Sequence, residues 1–217
     1  MPIAALVERK LGGPKVFLDR DTVMAAIGEG TVGAAKGARD FVYLTVSTGV
    51  GGAIVTGGKM MRGATNTAGE LGHFPVGFDR DVRCRCGSFG CVEAYAAGRN
   101  LAEAYGVDDA SIVYAKAAAG DARATALIAR AELALSNLAV GIVNALNPER
   151  IVVGGSVAEH EPGHTLEPMR RAIAERAFKV PAAAVMVVPS ALGADVSIIG
   201  AALAARDRAS GAGEWFL

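Results

Sequence analysis

Cysteine, histidine and tryptophan are scarce in this chain, with three, three and one among 217 residues, and neither sign of charge is in excess, 22 Lys and Arg facing 22 Asp and Glu. Three thiols cannot all pair within one chain, and Cys84 and Cys86 lie too close in sequence for a relaxed mutual bridge, so a disulfide framework is excluded. Balanced charge with no basic block leaves no electrostatic footprint for nucleic acid. The apolar runs are short: AAAVMVV at 182–188 is far below a bilayer span, and the amino terminus lacks a secretory layout, so no membrane partner is expected. A reduced, cytoplasmic setting fits thiols that stay unoxidised.

What is present is a hydrophobic content of 52% against 20% charged residues, enough for a substantial core in one large domain or two small ones. The three cysteines are also not scattered. Cys84, Cys86 and Cys91 follow His73 in the pattern H-x10-C-x-C-x4-C, within the stretch HFPVGFDRDVRCRCGSFGC. Three thiolates and one imidazole make a closed tetrahedral shell, the inventory of a structural Zn2+ site with no open position for catalysis. Gly87 and Gly90 would let the loop curl its ligands round one ion. The alternative is a group of free thiols.

Along the chain, hydrophobic periodicity predicts a short amphipathic helix at Ile3–Lys10, a brief strand at Lys15–Leu18, and a helix at Thr22–Ile27, placing Asp21 at a strand-to-helix junction. Phe41–Val46 and Ala53–Thr56 read as strands joined through STGVGG, with a turn at Gly57-Gly58. Helices follow at Val92–Tyr105 and Ala110–Ala119. A long one is N-capped by Asp121 and ends near Asn147-Pro148, with Leu127, Ala131, Leu135, Leu138, Ile142 and Leu146 on its buried face. A strand at Ile151–Val153, a helix near Leu166–Phe178, a strand at Val185–Val188 and a helix at about Val196–Arg208 lead to a frayed GAGEWFL tail, and EHEPGHT, with His160 and His164, reads as surface loop. Strand, glycine turn, helix and strand again is the grammar of an α/β domain.

Taken alone, STGVGG is as well explained by a tight hairpin as by a phosphate-binding turn, and Gly154-Gly155-Ser156 is as well explained by a turn as by a nucleotide platform. Asp21 alone could be a helix cap. Together with A-A-I-G-E (Ala25–Glu29), A-G-E-L-G-H (Ala68–His73) and C-R-C-G-S-F-G-C-V-E (Cys84–Glu93), these segments resemble the ROK family of bacterial sugar kinases and sugar-responsive repressors, from about Val7 to Arg206. The resemblance implies the actin-like, ribonuclease-H-like ATPase fold, this chain being a single carboxy-terminal lobe over 1–217 with its zinc loop at 73–91 and a helical part at about 92–147. It further implies an ATP-dependent, Mg2+-assisted kinase acting on a hexose or N-acetylhexosamine. Asp21 would be the base; Asn66, Glu70, His73 and Glu93 would hold sugar hydroxyls. Ser47, Thr48, Gly49, Gly51, Gly154, Gly155 and Ser156 would hold the nucleotide, and His73 with Cys84, Cys86 and Cys91 would hold zinc.

Three positions depart from the family pattern. Arg20 and Val23 stand where asparagines flank the catalytic Asp, and Ser47 stands where glycine is usual. An arginine adds bulk and a fixed charge beside Asp21, so a non-catalytic sugar-binding or regulatory lobe is the alternative function. The chain also carries no D-x-G-G-T-K segment of the kind that grips ATP phosphates in the family's smaller lobe, so the expectation is that another chain supplies that lobe, that the chain is a truncated derivative of a kinase, or that self-association as a homodimer covers the open face. No helix-turn-helix segment speaks for the repressor branch.

Overall fold

The computed structural model describes residues 2–78 and 82–211; all but the first residue of the expected frayed tail lies outside that range. Its centre is a five-stranded mixed sheet in the order β3-β2-β1-β4-β5. The strands are β1 (Phe41–Val46), β2 (Val50–Thr56), β3 (Lys59–Met60), β4 (Arg150–Gly154) and β5 (Met186–Pro189). β1 pairs antiparallel with β2 and parallel with β4, and β4 pairs parallel with β5. The hairpin therefore forms one edge, and the long helical excursion between β3 and β4 crosses over to the other half.

Alternation along β1 shows why the sheet is covered on both sides. Val42, Leu44 and Val46 belong to one buried cluster, and Phe41 and Tyr43 to another. Successive side chains point to opposite faces, so a strand with buried apolar residues on both needs two layers of cover. The first face packs against α3 (Val92–Ala96), α4 (Gly98–Tyr105), α5 (Ala110–Ala118), α6 (Ala122–Leu146) and α8 (Leu166–Arg176). The second packs against α2 (Asp21–Thr31) and α10 (Val196–Ser210). Those two helices touch backbone to backbone: a Cβ on Gly200 would lie 1.7 Å from the Met24 carbonyl oxygen, so only glycine permits the crossing.

α6 follows its predicted course. The Asp121 carboxylate accepts from Ala124 N–H at 2.8 Å at its start, and Asn147 adopts the left-handed conformation at its end. Ala131, Leu135, Leu138 and Ile142 are buried as expected, with Leu127 and Leu146 half-buried at the two ends. By length and composition this helix could cross a membrane, yet half of its most apolar stretch is already buried against the sheet and its neighbours.

Elsewhere the structure corrects the sequence reading. Lys15–Leu18 is not a strand: Val16 N–H goes to the Glu8 carboxylate at 2.8 Å rather than to a ladder, and Phe17 and Leu18 are exposed. The first helix forms as α1 (Ile3–Leu11) and buries none of its residues. Strand β2 starts three residues early, so that Val50, Gly51 and Gly52 are strand and the turn is only Ser47–Gly49. The single helix expected over 92–105 breaks at Ala97, where the backbone turns extended to let Gly98 N–H donate to the Ser47 carbonyl at 2.8 Å. The run expected as a surface loop at 159–165 instead contributes to α7 (Ser156–His160) and a short 3-10 turn at Pro162–His164, and α9 (Lys179–Ala184) was not anticipated.

Candidate functional site

The parallel neighbours β1 and β4 end side by side, and crevices outside the carboxyl ends of parallel strands are where ligands bind in such sheets. β1 runs into Ser47–Gly49 and β4 into Gly154-Gly155-Ser156. The two turns meet: Ser47 Oγ and Ser156 Oγ are 3.0 Å apart. Gly155 has φ +93°, and a Cβ there would sit 2.6 Å from both Thr45 Oγ1 and the Val46 carbonyl oxygen, so the turn is compact only because it carries no side chain.

Two cavities open on either side of this seam. One, of about 260 Å³, is bounded by Asp21, Thr22, Tyr43, Ser47, Gly155, Ser156, Glu159 and Ser197. The other, of about 660 Å³, runs from Ser47, Thr48 and Ser156 to Arg99, Tyr114 and His160. Asp21 thus shares a cavity with both glycine-rich turns. It is exposed, and it is the first residue of α2 rather than the cap, which is Arg20. Its Oδ1 accepts from the Thr22 N–H at 2.8 Å. Tyr43, in the wall of the same cavity, is kept a neutral phenol: burial, assisted by the nearby Glu29 carboxylate, pushes its pKa up to about 12.

On the far side of the Ser47–Gly49 turn lie the four predicted metal ligands. Their ligand atoms all fall within 4.8 Å of one another, with Cys84 Sγ 3.6 Å from His73 Nδ1 and Cys86 Sγ 3.7 Å from Cys91 Sγ. Two metal–sulfur bonds of about 2.3 Å at the tetrahedral angle span about 3.8 Å, so this cluster already has the dimensions of one ion's shell. Burial raises the Cys84 thiol and pushes Cys91 to about 12, whereas the exposed Cys86 is lowered by the Ser88 N–H. A cation among them would reverse the two upward shifts.

Glu93 joins this cluster to the turn. Its Oε2 accepts from Val50 N–H at 3.1 Å, and its Oε1 lies 4.0 Å from Cys84 Sγ. Glu70 and His73 do not act as a pair: His73 faces the cysteines, and Glu70 is held by Arg20, Nη1 to Oε1 at 2.8 Å. The same guanidinium donates to the Ala68 carbonyl, and Asp19 accepts from Arg62 at 2.6 Å alongside. Asn66 is exposed in a left-handed conformation, and it and Gly154 line neither cavity. Glu70, His73, Glu93 and the three cysteines are also missing from both linings, as are Gly49, the last residue of the turn, and Gly51 in β2. Sequence reasoning overlooked Tyr43, Ser197 and Glu29; only Glu29, an acid inside the apolar run VMAAIGEG, left a readable signal.

The ROK family profile matches residues 1–208. The chain belongs to the ROK family. Among ROK relatives it is 33% identical over 205 residues to a glucokinase of Halalkalibacterium halodurans, covering 85% of this chain and 62% of that one. It is 38% identical over 171 residues to an N-acetylmannosamine kinase of Escherichia coli, covering 77% and 57%. The chain thus spans less than two thirds of the length of these curated relatives. The fold is shared with the ROK hexokinase of Thermus thermophilus, with a TM-score of 0.81 at 35% identity over 97% of this chain and 71% of that one. It is also shared with a ROK glucokinase of Streptomyces griseus determined with glucose and AMPPNP, with a TM-score of 0.76 at 29% identity over 95% and 72%. The mixed sheet with helices on both faces is that of the actin-like ATPase class.

Proposed function

We propose that this ROK chain is the larger lobe of an ATP-dependent sugar kinase, glucokinase-like, which transfers the γ-phosphoryl group to a hydroxyl of a hexose or N-acetylhexosamine. The observation that carries this reading is the single cavity in which Asp21 faces the Ser47 and Gly155-Ser156 turns. Asp21 takes the proton of the attacking hydroxyl, while backbone N–H groups of the two turns hold phosphate oxygens. Mg2+ accompanying the nucleotide supplies charge neutralisation on the phosphates. Glu70, Glu93, Asn66 and His73, through its Nε2, position the sugar.

His73, Cys84, Cys86 and Cys91 would hold one structural zinc. With its Nδ1 directed at the sulfurs, the His73 ring is fixed in orientation, so the metal shapes the sugar wall without taking part in transfer. Exposed Ile3, Leu11 and Leu18 supply apolar surface for association, either as a homodimer or with a chain contributing a phosphate-gripping lobe. A cytoplasmic location fits such a thiolate site.

A second reading has its own observation. Arg20, a bulky fixed charge, directly precedes Asp21 and is held there by Glu70 and the Ala68 carbonyl, so the chain would be a lobe that binds sugar without transferring phosphate. A coupled assay of ADP release with glucose, mannose and N-acetylmannosamine separates the two. Turnover supports the kinase; a sugar-dependent rise in Tm with no ADP supports the binding lobe.

A further inference from the structure

Glu29 is fully buried, at 0% exposure, two turns along the helix that begins with Asp21. A carboxylate in such a place is costly unless its oxygens are satisfied, and here they are. Oε1 accepts from Ser190 Oγ at 2.5 Å, Ala191 N–H at 3.0 Å and Leu192 N–H at 3.1 Å; Oε2 accepts from Ala34 N–H at 2.6 Å. Three of these donors belong to the loop between β5 and α10. That loop continues into Gly193, Ala194, Val196 and Ser197, which wall the Asp21 cavity. It is tied down again at its far end, where Ser197 Oγ donates to the Asp21 carbonyl at 3.1 Å.

Helix α2 therefore grips the loop at two points, Glu29 at its entry and Asp21 at its exit. Eight residues separate them, about 12 Å along the helix axis. We infer that Glu29 is a positioning residue for the nucleotide side of the cleft: it fixes the 190–197 loop against the Asp21 helix, and so sets the width of the cavity between Asp21 and the Gly155-Ser156 turn. This role rests on the sugar-kinase reading above. Glu29 touches no reacting atom and acts through the loop it holds.

The test uses the 217-residue chain. Glu29→Gln keeps the shape but replaces one acceptor by an NH2 group, which must oppose either the Ala34 N–H or the three donors of the loop. Leu138→Ala, in the core on the other face of the sheet, serves as a variant destabilised without touching the loop. AMPPNP and glucose affinities are measured by calorimetry at a temperature where all three proteins are folded, with hydrogen exchange read at Ala191 and Leu192. The role predicts that Glu29→Gln weakens AMPPNP about tenfold, leaves glucose within about twofold, and speeds exchange at those two amides. Leu138→Ala should lower Tm with AMPPNP binding unchanged. AMPPNP affinity preserved in Glu29→Gln, or lost equally in both variants, would overturn the role alone. Wild-type protein that binds no AMPPNP would overturn the functional reading and the role with it.

Discussion

The Arg20 guanidinium and the Glu70 carboxylate meet at 2.8 Å, joining the start of helix α2 to the loop that carries Asn66, Glu70 and His73. One residue upstream, Asp19 accepts from Arg62 of the same loop, so two ion pairs of opposite polarity fasten the two segments together. The Arg20 and Glu70 side chains are 22% and 47% exposed, which makes their pair a modest contributor to folding and, on the sugar-kinase proposal, a competitor for sugar hydroxyls at Glu70.

Arg20→Asn should thus free Glu70 at little structural expense. Unfolding free energy should change by less than about 1 kcal/mol, as for other exposed pairs. Glucose or N-acetylmannosamine should bind about three- to tenfold tighter, equivalent to roughly 0.7–1.4 kcal/mol from one released hydrogen-bonding carboxylate. Titration of both sugars into both proteins checks this, and weaker binding by the variant would show that Arg20 itself holds substrate.

Metal analysis should find one zinc per chain, lost in Cys91→Ala. Ligands must shed protons to bind the ion, and the Cys84 and Cys91 thiols are raised by burial in its absence, so zinc affinity should fall as the pH is lowered. Chelation should lower Tm by at least about 5 °C, since roughly 2 kcal/mol suffices for such a shift at this chain length. Glucose binding should weaken along with it, because His73 then loses its fixed orientation.

Gly155→Ala places a Cβ against Thr45 Oγ1 and the Val46 carbonyl at a positive φ. The backbone strain alone costs about 1–3 kcal/mol, seen as a lower denaturant midpoint. AMPPNP affinity should fall with it as the two turns are forced apart, whereas metal content should be unaffected.

Acid should act through the helix caps. The Asp121 carboxyl is lowered by the Ala124 N–H, and Asp109 by Ser111. A group whose folded pKa lies below its unfolded value contributes stability that is complete above about pH 4 and is lost as pH falls through the folded value. Asp121→Ala should therefore lower stability at pH 7 and flatten the decline of stability below pH 4, as followed by thermal unfolding against pH.

Much of this was legible where local chemistry and tertiary packing agree. The cap at Asp121, the stripe from Ala131 to Ile142 and the left-handed stop at Asn147 specify α6 without help from the rest of the chain. The cysteine spacing likewise points to a cluster, because ligand types and glycines are encoded within one short loop. What stayed hidden depends on partners distant in sequence. Ala97 breaks a helix because Ser47, fifty residues earlier, accepts from Gly98 N–H. Lys15–Leu18 has strand-like residues and pairs with no strand among the described residues. Glu29 is satisfied by a loop 161–163 residues away, and nothing local announces that. Arg20 was read as a departure next to Asp21, but its engagement of Glu70 appears only once the loop at 62–70 is folded over it.

The account stands or falls on phosphate transfer from γ-labelled ATP to a hexose by zinc-loaded protein, compared with Asp21→Asn. It predicts labelled sugar phosphate with at least one of glucose, mannose and N-acetylmannosamine, and a rate about 10²- to 10⁴-fold lower in the variant, the usual contribution of a general base. No labelled sugar from the wild-type chain, or equal rates in the two proteins, would contradict it.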